Sequence, residues 1–240
     1  MKKLFKAFFS FSLLAGSLFA GENPQELYKK GDFESAAKIY LERTESNPYD
    51  YAAFYNYANC MYRLGDNSRA LAYYMKAFTL NPRNSDLFYN LNYLSRQTGA
   101  GLFPEDIPSF IYRIYFFLSM NEIRALLNIS LWIFCLTASA VLLKKKESLA
   151  KSVMLAAAGL CLFFSMLYFF RTNSAFHCAA VITENQARIM SGPGEDFKLI
   201  ATSEGTKTVR LLSQSGEWSE IGLLGQGLKG WIKSEQLIKI

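Results

Sequence analysis

The sequence contains little of what an enzyme's active site requires. Among its 240 residues there is one histidine, His177, which is followed directly by Cys178. Such a pair can belong to a nucleophilic or metal site, but no second histidine and no CxxC motif accompanies it. A Walker motif and a GxSxG nucleophile elbow are also missing. We therefore expect no catalytic residue, no metal site and no cofactor, and interpret His177 as part of a linker.

Cysteine is scarce as well, with four residues in the chain. Cys135 and Cys161 lie within long apolar stretches, which leaves Cys60 and Cys178 as the one conceivable disulfide outside the cytoplasm. Nothing in the sequence favours that pairing over two separate thiols.

Charged residues are absent from two stretches of 19 residues, 125–143 and 152–170. A helix of that length spans about 28 Å, which is close to the thickness of a bilayer core. Two buried helices of a soluble protein are the alternative, but such helices rarely run this long without a polar face. The pattern predicts two transmembrane helices, joined by the lysine-rich segment 144–151.

The net charge of +6 comes from two short segments. One is the N-terminus, and the other contains Lys144, Lys145, Lys146 and Lys151. Because no basic stripe extends over a domain, we expect no nucleic-acid partner. Residues 1–20 have the basic start and apolar run of a signal peptide, cleaved after Ala20 or retained as an anchor.

These signals predict one topology. If the chain after the signal is exported, two spans place segment 144–151 in the cytoplasm, as the positive-inside rule requires. Both soluble parts then lie outside, which in a bacterium means the periplasmic side of the inner membrane. The lysines are expected to set this orientation and to contact anionic lipid headgroups.

The N-terminal soluble part, residues 21–99, contains a repeat of 34 residues. Matched pairs at this spacing are Gly31/Gly65, Asp32/Asp66, Ala36/Ala70, Tyr40/Tyr74, Asn47/Asn81 and Pro48/Pro82, and a partial third copy ends at Gly99. The period, the small residues and the closing proline resemble the tetratricopeptide repeat. The resemblance implies about two and a half pairs of helices, with the first helix of repeat one shortened.

In that family the first helix of each repeat lines a concave binding face. The resemblance implies that ligand-binding positions here are Tyr55, Asn59, Tyr62, Arg63, Tyr89, Tyr93 and Arg96. Tyrosine with arginine is a composition typical of binding surfaces. The alternative is that the tyrosines only cover an amphipathic helix.

Residues 100–124 form a linker broken by Pro104 and Pro108. Its aromatic-rich segment 109–120 is too short to span a membrane and predicts an amphipathic helix lying at the lipid surface. A capping helix packed on the repeats is the alternative.

The C-terminal part, residues 179–240, follows a second linker, 171–178. Its short β-type runs alternate with glycine-containing turns, which predicts five to seven strands. The segments "ARIMSGPGEDF", "EGTKTVRLL", "GEWSEI" and "KGWIKSEQL" resemble bacterial SH3 domains, although Met190 replaces that family's usual arginine. The resemblance implies a groove containing Phe197, Trp218 and Trp231, with a peptide or peptidoglycan as ligand. The alternative is that both tryptophans lie in the core.

Taken together, the expected fold class is a multidomain membrane protein with an all-α tetratricopeptide helical repeat, a transmembrane helical hairpin and an all-β SH3-like small barrel. This module order resembles the BatE family of the Bacteroides aerotolerance (Bat) operon. The resemblance implies a non-catalytic, membrane-anchored adaptor whose partners are envelope proteins, among them Bat proteins with von Willebrand A domains and a MoxR-type ATPase. The alternative function is a peptidoglycan-binding module that positions or regulates cell-wall enzymes.

Overall fold

The computed structural model describes residues 23–100, 114–143, 147–172, 179–223 and 227–240. The expected signal peptide, the first five residues of the expected amphipathic segment (109–113), Lys144–Lys146, His177 and Cys178 lie outside these residues. The described part confirms the expected order of a helical repeat, two apolar helices and an antiparallel sheet. The elements are α1 Pro24–Lys30, α2 Phe33–Ser46, α3 Tyr51–Arg63, α4 Asn67–Leu80, α5 Ser85–Thr98, α6 Met120–Leu142, α7 Glu147–Thr172, β1 Ala179–Ile182, β2 Ala187–Met190, β3 Leu199–Ser203, β4 Thr208–Ser215, β5 Trp218–Leu223, β6 Lys229–Lys233, a 3₁₀ turn Ser234–Gln236 and β7 Leu237–Lys239.

Glycine followed by aspartate reverses the chain within each repeat. Gly31 and Gly65 have φ values of +85° and +83°, a left-handed conformation that other residues adopt at a cost. The aspartate that follows each glycine then caps the next helix: Asp32 accepts from the Ser35 N–H at 3.0 Å, and Asp66 from the Arg69 N–H at 2.9 Å. The Gly–Asp pair thus ends one helix and starts its partner in a single turn.

The paired helices cross at small residues. Ala36 and Ala70 are both 0% exposed, which allows the backbones of the two helices in each pair to approach closely. One turn later Tyr40 and Tyr74 are buried and fill the space beside the crossing. The repeated small and aromatic positions therefore build one continuous core along the array.

The two apolar helices, α6 and α7, pack along each other as a hairpin. Ser119 and Glu122 form a reciprocal capping box at the start of α6. Between the helices, the Cys161 thiol lies 3.2 Å from the Ser130 hydroxyl. Among the described residues only 6% of the apolar stretch of each helix is buried, whereas the core helix of a soluble domain is mostly buried. Both are long and apolar enough to span a membrane.

Seven antiparallel strands form the C-terminal sheet, in the order β3-β2-β6-β5-β4-β1-β7. The sheet curves around its own small core, to which Ile182, Ile189, Ile221 and Ile232 contribute. All four residues of β1 are buried, because its alternate side chains face two different cores. Ala180 and Ile182 belong to the core of the sheet, whereas Val181 belongs to the core of the repeats.

The sheet therefore docks on the repeats. Strands β1 and β7 pack against α4, where Val181, Ile238 and Ile240 join the repeat core. At one margin the Ser68 and Thr206 hydroxyls are hydrogen-bonded at 2.7 Å. Ser68 lies on the side of α4 opposite to Ala70 and Tyr74, because successive helical residues are about 100° apart. The docked sheet therefore covers that opposite side.

Repeat one shows what the same face looks like when nothing docks on it. On α2 this face contains Glu34, Lys38 and Glu45, which are all exposed. The corresponding residues of repeat two are Ser68, Ala72 and Thr79, of which Ala72 is 0% exposed. The three positions that are charged on α2 are thus small and neutral on α4, the helix that the sheet covers.

A short segment before α6 connects the hairpin with the repeats. Phe116 is buried against Phe78 of α4, with ring centroids 5.4 Å apart. Arg171, near the end of α7, is 1% exposed and donates to the backbone carbonyls of Tyr115 at 2.6 Å and Leu118 at 3.2 Å. The described end of the linker thus packs on the repeats and is held by the second apolar helix.

Candidate protein-binding site

Helices α1, α3 and α5 lie side by side and present polar and aromatic residues on one surface. We call this surface the tyrosine face and define it by Tyr28, Tyr55, Asn59, Tyr62, Arg63, Tyr89, Asn90, Tyr93 and Arg96. It is formed by the first helix of each pair, whereas the sheet docks on α4, the second helix of its pair. Docking therefore leaves the tyrosine face uncovered.

A hydrogen-bond network fixes the centre of the tyrosine face. The Tyr74 hydroxyl donates to Asn59 Oδ1 at 2.6 Å. The Asn90 amide donates to the same oxygen at 3.3 Å and to the Tyr55 hydroxyl at 3.0 Å. Because these residues come from three helices, the network also sets the spacing between α3 and α5.

Burial raises the pKa of phenols at the centre of the face above their ordinary value. It strongly raises the pKa of the Tyr74 phenol, and raises the pKa of Tyr28 despite the nearby Arg63 guanidinium. Burial, followed by a hydrogen bond with Tyr93, raises the pKa of Tyr62 as well. The phenols are therefore neutral at physiological pH and can both donate and accept hydrogen bonds.

The margin of the face is more exposed and carries positive charge. Tyr89 is 70% exposed and Tyr93 52%, and the Tyr93 ring meets Tyr62 edge-to-face at 6.4 Å. Arg63 lies 5.0 Å above the Phe33 ring, and Arg96 is exposed on α5. Exposed aromatic rings beside guanidinium groups are suited to binding apolar side chains next to acidic ones.

Five of the seven sequence-predicted positions, Tyr55, Asn59, Tyr62, Arg63 and Tyr93, make contacts within this arrangement. Tyr89 and Arg96 are exposed on α5. Sequence reasoning did not include Tyr28, Tyr74 or Asn90 among the binding positions. A signal for Tyr28 existed, because it lies 34 residues before Tyr62. Tyr74 belongs to the repeat pattern, but the partner of its hydroxyl cannot be read from that pattern.

A second aromatic surface lies on the sheet. In β5 and β6 the core residues alternate with Trp218 and Trp231, so both half-buried tryptophans lie on the outer side. Trp231 is paired with Glu220, and Trp218 with Lys233, which makes the two rings diagonal neighbours on adjacent strands.

Phe197 lies on the neighbouring turn. Its ring packs over Gly192, where an added Cβ would approach the ring to 2.3 Å, and 48% of the residue is exposed. Lys233 contacts Glu195 at 2.8 Å and lowers the pKa of that carboxyl, which ties this turn to β6. Trp218 and Trp231 thus share one side of the sheet, and the turn that contains Phe197 is tied to β6 by the Lys233–Glu195 ion pair.

Among the described residues, no group of three or more His, Cys, Asp or Glu side chains comes together in a way that could hold a metal ion. Cys60, behind the tyrosine face, is fully buried, and burial raises the pKa of its thiol to about 11. It is therefore a poor nucleophile at neutral pH.

Comparison with known proteins identifies one of these modules. The tetratricopeptide repeat family matches residues 51–84, which comprise α3, α4 and the turn between them. No curated protein matches the chain. The matched repeat is the one that contributes Tyr55, Asn59, Tyr62 and Arg63 to the tyrosine face and, through Tyr74, anchors its network.

Proposed function

We propose that this chain is a membrane-anchored adaptor that holds a segment of a partner protein on its tyrosine face. A tetratricopeptide repeat supports a role in protein–protein interaction. The observation that favours the tyrosine face in particular is its combination of an ordered, neutral centre with exposed rings and cations at the margin. This chemistry suits an extended segment with apolar and acidic side chains.

The anchor in this proposal is the hairpin of α6 and α7. The contact between sheet and repeats supports it, because two domains that touch must be on the same side of a membrane. An even number of spans between them satisfies that condition, and segment 144–151 is then on the opposite side. Its lysines favour the cytoplasm for that segment and the periplasm of a bacterium for both domains.

The sheet is proposed to be a bacterial SH3 domain that binds a second ligand through Phe197, Trp218 and Trp231. The module order is the basis for placing the chain in a Bat-type envelope complex with von Willebrand A-domain partners. In this proposal the chain is not an enzyme, so replacing His177 and Cys178 together by alanine should leave its cellular phenotype unchanged.

Site-specific photo-crosslinking in the native membrane tests the adaptor function. A photoreactive residue at position 93 should form adducts with one discrete set of envelope proteins, whereas the same residue at Lys38, on the uncovered face of α2, should not. The adducts should disappear when Tyr89 is changed to serine. The double change Lys38→Ser and Glu45→Ser is the matched control and should have no effect. Identical adducts from positions 93 and 38 would contradict the proposal.

A peptidoglycan-binding role is the second candidate, and the diagonal tryptophan pair favours it, since aromatic faces stack on sugar rings. Co-sedimentation of the full chain with purified sacculi tests it. Binding that is lost in Trp218→Ala and Trp231→Ala but kept in Tyr89→Ser would support this candidate over the adaptor. Absence of binding by the unaltered chain would eliminate it.

A further inference from the structure

Two equivalent turns of the repeat array meet the same end of the apolar hairpin. Tyr49 and Arg83 are 34 residues apart and occupy the turns that follow α2 and α4. Arg83 forms an ion pair with Glu122 and donates to the Phe117 carbonyl at 3.3 Å. Tyr49 lies close to Arg124, two residues further along α6. The two turns define a line along one edge of the array, and both turns lie near the start of α6.

Side chains typical of a lipid interface surround this line. Ile114 is 72% exposed, Tyr49 61% and Phe117 57%, and the described residues leave these three surfaces open to the outside. Arg83 lies 5.5 Å from the Phe117 ring, and Arg124 lies 5.8 Å from the Tyr168 ring. Aromatic and arginine side chains concentrate where a bilayer's acyl chains meet its headgroups.

The local charges also suit that position. The Glu122 carboxylate is paired with Arg83 and accepts a hydrogen bond from the Ser119 N–H. The carboxylate of Asp50, next to Tyr49, accepts hydrogen bonds from the N–H groups of Ala52 and Ala53 and so caps the N-terminus of α3. Arg124 is exposed and adds a positive charge toward any phosphate at this level.

We propose that the array rests on the bilayer surface along this edge, with Tyr49, Ile114 and Phe117 at the boundary between acyl chains and headgroups. The occupant is the lipid of the membrane that α6 and α7 enter, because the edge is continuous with the outer end of the hairpin. The inference rests on the proposed membrane anchor. The opposite edge, with Gly31 and Gly65, then points away from the membrane.

Photo-crosslinking to lipid tests the inference. The full chain is reconstituted in vesicles of phosphatidylcholine and phosphatidylglycerol, and p-benzoylphenylalanine replaces one residue at a time. Tyr49 is the test position, and Leu64, which is 42% exposed at the other end of α3, is the matched control. Trp132, which is 69% exposed in the middle of α6, reports on insertion of the hairpin.

Lipid adducts at positions 132 and 49 but not at 64 are the expected result. Adducts at 132 with none at 49 would overturn the edge contact and leave the membrane anchor intact. Equal adducts at 49 and 64 would also overturn it, because lipid would then contact the array without orientation. A lack of adducts at all three positions would refute the anchor, and the edge contact with it.

Discussion

Replacing Ala72 with lysine should detach the C-terminal sheet from the repeats while both remain folded. Ala72 is 0% exposed on the face of α4 that the sheet covers, and the equivalent residue of repeat one is the exposed Lys38. Lysine at this position is therefore compatible with the repeat itself. Only the docked sheet excludes it.

The expected size of the effect follows from what the docking buries. Val181 is fully buried, and Ile238 and Ile240 are partly buried. Full burial of such side chains contributes about 1.5–3 kcal/mol each, so the three contribute roughly 3–6 kcal/mol together. The hydrogen bond between Ser68 and Thr206 adds about 1 kcal/mol. An unpaired ammonium group costs several kcal/mol to bury, which is comparable to the whole docking energy.

A disulfide between Ser68→Cys and Thr206→Cys measures docking directly, because the two hydroxyls are 2.7 Å apart. The bond should form readily in this parent and about tenfold or more slowly when Ala72→Lys is added, since 1.4 kcal/mol already changes a population ratio tenfold. The control is Lys38→Ala in the same parent, which should leave the rate unchanged. An unchanged rate in Ala72→Lys, or an equal loss in both variants, would show that the contact between sheet and α4 is not a stable interface.

Three further changes test the repeat and the hairpin. The thiol pKa of Cys60 rises from 9.0 to about 11 on folding, so between roughly pH 9 and 11 the unfolded chain ionises first and the stability of the array should fall. Cys60→Ala should remove about 2–3 kcal/mol of that fall, measured by urea unfolding. Gly65→Ala should destabilise the array by about 1–2 kcal/mol in the same assay because of its φ of +83°, whereas Gly159→Ala, within α7, should not. Arg171→Met should speed hydrogen exchange of residues 114–119, which lose the guanidinium bonds to two carbonyls, and Arg171→Lys should restore part of the protection. Unchanged exchange in Arg171→Met would contradict its anchoring role.

The repeat and the apolar helices could be predicted because each follows from a local pattern. A 34-residue period places Ala36 and Ala70 at equivalent crossings, and an uncharged stretch of 19 residues has few alternatives to a membrane helix. The strands were predictable for the same reason, since turns rich in glycine separate short β-type runs. None of these patterns depends on tertiary contacts between distant parts of the chain.

The contacts between modules could not be predicted, because they join residues far apart in the sequence. In the sequence Arg171 is the first charged residue after the uncharged stretch 152–170, yet it is buried against carbonyls 53 and 56 residues earlier. One docking signal was nevertheless present. Glu34, Lys38 and Glu45 are charged where Ser68, Ala72 and Thr79 are not, and a solvent-exposed face has no reason to lose its charges in one repeat alone.

Docking also bears on the proposal that one chain holds two ligands. The sheet uses β1 and β7 against α4, whereas its tryptophans are on β5 and β6, beyond β4 in the strand order. The tyrosine face is on the other helix of each pair. Neither aromatic surface is therefore covered by the contact that joins them, and a rigid contact fixes their separation. A partner that spans both surfaces gains the full effective concentration of the second site only while that separation is fixed. Ala72→Lys should consequently weaken such a two-site partner while leaving a ligand of either single surface unaffected.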